Sequence, residues 1–157
     1  MSKAAGALLT ILATGFGTGY SPLAPGTAGS ILSAAVFAAI AFLPGSPSWL
    51  RPAIGVLLVP AAFAGSARGE RLWGHDPSRV TIDEVLGCWI ACLLAPWSPA
   101  GTLAALALFR FFDILKPWPV CRLDRMGGPA GIVLDDVAAG ILAGALALAG
   151  GVLLGYP

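Results

Sequence analysis

Charge is what this sequence has least of. Only 11% of its 157 residues are Asp, Glu, Lys or Arg, against about a quarter in a soluble domain, so polar surface is too scarce to cover a conventional core. The few charges nearly cancel, at +1 overall, which removes any bulk attraction to nucleic acid. Three cysteines, Cys88, Cys92 and Cys121, are an odd count that argues against a disulfide framework, and nothing near them completes a soft-metal site. The single histidine, His75, is one too few for phosphatase chemistry built on paired imidazoles. A cysteine phosphatase is disfavoured because position 127, where an arginine would follow Cys121, is Gly127. No two aspartates flank a single residue, which removes the haloacid dehalogenase pattern.

What fills the chain instead is apolar: 57% of residues are hydrophobic and the mean hydropathy is +0.86. Long Ala-, Leu- and Gly-rich runs without strand alternation predict helices, because backbone groups in lipid must be satisfied within helices or a closed barrel. The expected fold is therefore all-α, a single polytopic membrane helical bundle over residues 1–157. About four to five transmembrane helices are expected, preceded by an interfacial or re-entrant helix over residues 4–20. The helices are expected over 28–43, 53–67 with a kink at Pro60, 82–96, 102–116 and 135–154. Trp49, Trp73, Trp97 and Trp118 fall near helix ends, as interfacial anchors do. Gly140 and Gly144 form a GxxxG, either a close packing contact within the bundle or a dimer seam, and the oligomeric state is left open.

If all five helices cross, Arg68, Arg71, Arg79, Arg110, Lys116, Arg122 and Arg125 lie on one side and Arg51 on the other. The excess of Lys and Arg marks the cytoplasmic side. The acids share that side. Asp83 with Glu84, Asp113, and Asp135 with Asp136 occupy three expected helix ends, each pair at a helix start, where capping of free N–H groups would account for either pair alone. Asp113 fits that account badly, being near a helix C-terminus where the dipole is negative.

Five convergent carboxylates without His or thiolate suit Mg²⁺ better than a transition metal. Arg110, Lys116 and Arg125 supply the cations of a phosphate site. Ser21, Thr27 and Ser30, with Gly26 and Gly29, surround a helix start that could receive an anion. His75 is either a solvated loop imidazole or a proton-transfer group. A small ion transporter or channel with a carboxylate cluster is the alternative class, and it predicts acids near the middle of helices.

Four ordered segments, GFGTGYSPLAPGTAGS, HDPSRVTIDEVLGCWI, FRFFDILKPWPV and GIVLDDVAAGILAG, resemble bacterial phosphatidylglycerophosphatase A from Gly15 to Gly144. The resemblance implies a Mg²⁺-dependent phosphatase of the bacterial inner membrane, multi-pass, with its active site facing the cytoplasm. Its substrate would be phosphatidylglycerophosphate, and its products phosphatidylglycerol and inorganic phosphate. It also implies catalytic or metal-binding roles for Asp83, Glu84, Asp113, Lys116, Asp135 and Asp136. Either a metal-activated water or a carboxylate could then be the nucleophile.

Overall fold

The computed structural model describes residues 2–155, and the regular structure among them is helical. In chain order it contains α1 (Lys3–Ala13), a 3₁₀ segment (Gly15–Tyr20), α2 (Pro25–Phe42), α3 (Leu50–Trp73), α4 (Ile82–Leu94), α5 (Pro99–Leu115), α6 (Val120–Asp124) and α7 (Gly128–Leu153). Local chemistry sets several boundaries. The Ser2 hydroxyl accepts the Ala5 N–H at 3.2 Å at the start of α1, and Ser98 accepts from Gly101 at 2.9 Å at the start of α5. α5 stops at Lys116, which turns into the left-handed region at φ 47°, and Pro117 behind it has no N–H to continue the helix.

The bundle is organised around α4. Nine of its thirteen residues are buried, and it packs against α2, α3, α5 and α7. Trp89 meets Phe37 edge to face at 5.2 Å between centroids, and its indole N–H donates to the Arg51 carbonyl at 3.0 Å. Glycines bring α4 and α7 together backbone to backbone. A Cβ on Gly87 would lie 2.6 Å from the Asp136 carbonyl, and one on Gly144 would lie 2.9 Å from the Ala91 carbonyl. Gly140 faces Gly87 in the same way, so the GxxxG of α7 packs within the chain.

Three helices, α2, α3 and α7, are long and apolar enough to cross a membrane. The expected four to five is not confirmed: α4 has 13 residues and α5 has 17, short of the roughly 20 a full span needs. α4 is a central strut enclosed by its neighbours. α3 runs unbroken through Pro60.

A second correction bears on the acids. α7 begins at Gly128, with a proline in its first positions and no acid in its first turn. Asp135 and Asp136 therefore lie about two turns inside the helix, where no free N–H groups need capping. Asp83 and Glu84 do lie in the first turn of α4, at the positive end of its dipole, though no side chain caps that helix; the second pair does not lie at a helix start.

The glycine-rich segment before α2 acts as a brace. Thr81 N–H donates to the Ala13 carbonyl at 2.9 Å, and the Thr18 and Thr81 hydroxyls are 2.9 Å apart. Gly15 stands where a Cβ would meet Thr81, and Gly19 where one would meet the Arg79 carbonyl. Residues 79–81 are thus held immediately ahead of Asp83 and Glu84.

Candidate active site

A polar cavity of about 210 Å³ opens where the first turn of α4, the end of α5, α6 and the N-terminal third of α7 meet. Asp83, Glu84, Asp113, Lys116, Asp135 and Asp136 all line it, together with His75, Asp76, Asp124 and Gly127. Six positions singled out in the sequence as catalytic therefore share one cavity. Ser21, Thr27, Ser30, Arg110 and Arg125 are not part of its lining. The Ser30 hydroxyl is turned inward and donates to the Gly26 carbonyl at 2.8 Å.

Within the cavity the acids fall into two sets. Asp83, Glu84 and Asp136 each offer a carboxylate oxygen, all within 4.8 Å of one another. Among the described residues, none of the three forms an ion pair with Lys or Arg. Asp83 Oδ1 and Glu84 Oε2 are buried with no hydrogen-bond partner. Like charges this close, without a compensating cation, are costly in a low-dielectric site. Burial pushes the Asp83 and Glu84 carboxyls above their usual range, and for Glu84 the neighbouring Asp83 adds to the rise.

The second set is paired. Asp135 is buried and accepts from Lys116 Nζ at 2.7 Å through Oδ2, and from the Asp136 N–H at 2.9 Å through Oδ1. Lys116 also pairs with Asp124, so one ammonium ties the end of α5 to α6 and α7. Burial works against the charged form of Lys116, but Asp124 and Asp135 outweigh it and hold its pKa above the ordinary lysine range. Asp113 pairs with Arg110 one helical turn away. That pairing answers the unfavourable dipole at the end of α5.

Asp124 and Asp76 are cavity residues that the sequence reading passed over. Asp124 lies eight residues beyond Lys116 in a five-residue helix, too short to show periodicity, and Asp76 stands at φ 44° in the loop before α4. His75 is 73% exposed at the rim, with Nδ1 3.2 Å from the Glu70 carboxylate.

The unpaired trio fits a hard divalent cation. Its donors are all carboxylate oxygens, two of them are buried without partners, and a bound cation would remove the like-charge penalty. The adjoining space, with Lys116 on its wall, can take the remaining shell as water or phosphate oxygen.

Comparison with known proteins gives a family. The family model for phosphatidylglycerophosphatase A matches residues 11–150. A Bacteroides thetaiotaomicron protein provisionally named phosphatidylinositol-3-phosphatase is 41% identical over 139 residues, covering 85% of this chain and 87% of that protein. Phosphatidylglycerophosphatase A of Escherichia coli is 34% identical, over 84% of this chain and 77% of its own length. Phosphatidylglycerophosphatase A of Haemophilus influenzae is 36% identical, over 85% and 82%. No solved structure matches the chain.

Proposed function

The chain belongs to the phosphatidylglycerophosphatase A family, and from that premise we propose that it removes the terminal phosphate of phosphatidylglycerophosphate in a Mg²⁺-dependent reaction. The observation that carries the metal is the convergence of Asp83, Glu84 and Asp136 within 4.8 Å, none of them in an ion pair among the described residues. Those three residues would hold Mg²⁺, which when bound supplies charge neutralisation for the phosphate and a means of activating water.

The chain's own groups account for binding and orientation. Lys116 presents an ammonium to the cavity beside the trio and meets phosphate as a point charge. Asp135 fixes that ammonium from below, and Asp124, the more exposed of its two partners at 39% against 6%, is the one a phosphate can displace. Asp113 holds Arg110 at the end of α5, keeping a second cation next to the site. Catalytic roles are assigned to Asp83, Glu84, Asp113, Lys116, Asp135 and Asp136, with the active site at the cytoplasmic end of a bundle in the bacterial inner membrane. His75, exposed at the rim of the cavity, is assigned to substrate binding.

The acids support this reading over an ion transporter. They meet at one end of the bundle around the first turn of α4, and do not form a file along it.

Release of inorganic phosphate from phosphatidylglycerophosphate by the purified protein in detergent tests the proposal. Turnover that requires Mg²⁺ and stops with EDTA is expected. EDTA-insensitive turnover would remove the metal, and absence of turnover would remove the activity.

A further inference from the structure

Three apolar clefts open between the helices, and they differ in how they relate to the acids. One lies between α5 and α7 around Pro96, Leu146 and Gly151, at the end of the bundle away from the cavity. A second lies among α2, α3 and α4, lined by Val85 and Trp89 of α4 and by Phe16 of the 3₁₀ segment. The third, about 360 Å³, runs between α2 and α5 and is lined by Ile31, Ala35, Ala38 and Phe42 on one side and Leu103 and Leu106 on the other.

The third is headed on both walls by residues that adjoin the acids, one of them a cation. Above it on α2, Gly26 stands directly against the Glu84 carboxylate, and Arg110 Nη1 of α5 is 3.2 Å from where a Gly26 Cβ would lie. Ile31 is five residues below Gly26 and Leu106 four below Arg110, so the groove begins about 6–8 Å beneath that junction at 1.5 Å per residue. From Ile31 to Phe42 it follows α2 for about 16 Å. Arg110 spends Nη1 on Asp113 and keeps Nε buried without a partner.

A phospholipid bearing a terminal phosphomonoester presents, in order, a dianion, a phosphodiester and acyl chains. The protein presents a carboxylate trio suited to a cation, an arginine, and an apolar groove in the same order. We propose that the α2–α5 groove is the acyl-chain subsite of the phospholipid substrate, with Arg110 facing the phosphodiester at its head. The assignment rests on the lipid phosphatase reading above. Bulk lipid can lie on any apolar face, such as Val56 and Leu57 of α3, which are about 70% exposed. This groove differs in having a cation and the acids at its upper end.

The test compares kcat/KM for dipalmitoyl and dihexanoyl phosphatidylglycerophosphate, using the full chain in detergent with Mg²⁺. Filling the groove with Ala38→Trp or Ala35→Trp is expected to lower the long-chain to short-chain ratio about tenfold, since remote binding energy is lost with the tail contact. Leu103→Ala removes a groove wall at an exposed position without added bulk, and should lower the ratio by about threefold. Leu57→Trp, on the lipid-facing side of α3, should leave it unchanged. An unchanged ratio in Leu103→Ala and in the folded tryptophan variants overturns the subsite. Absence of phosphate release from either substrate by the unsubstituted protein instead overturns the activity on which the subsite rests.

Discussion

Asp135 and Asp136 are chain neighbours on one helix, yet they belong to opposite kinds of site. Asp135 is held by Lys116 at 2.7 Å and by a backbone N–H. Asp136 turns to Asp83 and Glu84, where three carboxylates meet and, among the described residues, no Lys or Arg pairs with any of them. The paired set resembles an ordinary structural ion network, complete in the protein alone. The unpaired set is unstable by construction unless something positive joins it. On the proposed reading, that difference separates carboxylates that hold the cavity in shape from carboxylates that would hold a cation.

The largest effect should come from removing a member of the unpaired set. Asp83→Ala or Asp136→Ala should lower turnover of phosphatidylglycerophosphate by at least about a hundredfold, measured as phosphate release at saturating Mg²⁺. Full activity in either variant would erase the distinction between the sets. Neutralising one acid of each set should act on stability with opposite signs. Asp136→Asn should raise the stability of the metal-free protein by about 1–3 kcal/mol, because it removes a like charge from a buried cluster. Asp135→Asn should lower it by about 1–2 kcal/mol, since Lys116 keeps only its more exposed partner. Thermal unfolding in EDTA reads both, and shifts of equal sign would break the comparison.

A pH dependence follows from the raised carboxyls of Asp83 and Glu84. A carboxyl whose folded pKa lies above its unfolded value keeps more protons in the folded state, so its stabilising contribution is complete below the unfolded pKa. That contribution disappears as pH rises through the folded value. Metal-free protein should therefore lose stability as pH rises above the ordinary carboxylate range, and Mg²⁺ should flatten the curve. Unfolding midpoints across that range, with and without Mg²⁺, measure it. The smallest effect belongs to Arg110 and Asp113, whose coupling in a double-mutant cycle should be about 1 kcal/mol for a partly exposed pair.

Much of the site was legible because carboxylates are so rare in this chain that each stands out against apolar helices. Asp83, Glu84, Asp113, Lys116, Asp135 and Asp136 could all be picked out and placed at one end of the bundle by counting turns. What could not be read was which acid faces which. The start of α7 was misplaced because Gly127, Gly128 and Pro129 look like a loop, although a proline in the first helical positions is itself a helix-opening signal. With that boundary moved, Asp135 and Asp136 leave the helix end and capping no longer explains them. Asp124 was missed for a different reason: its pairing with Lys116 depends on a reversal of the chain after Pro117 that no periodicity encodes. The crossing count is not confirmed, and α4 shows why it was hard to read: its hydrophobicity serves packing against four other helices.

The central claim is that Asp83, Glu84 and Asp136 form a cation site and Asp135 does not belong to it. Titrating Mg²⁺ into metal-free protein in detergent, and following the unfolding midpoint of the unsubstituted chain, Asp136→Asn and Asp135→Asn, tests it most directly. A saturable upward shift in the unsubstituted protein that survives in Asp135→Asn and disappears in Asp136→Asn is the predicted result. An equal Mg²⁺ shift in all three proteins, or none in any, would contradict it.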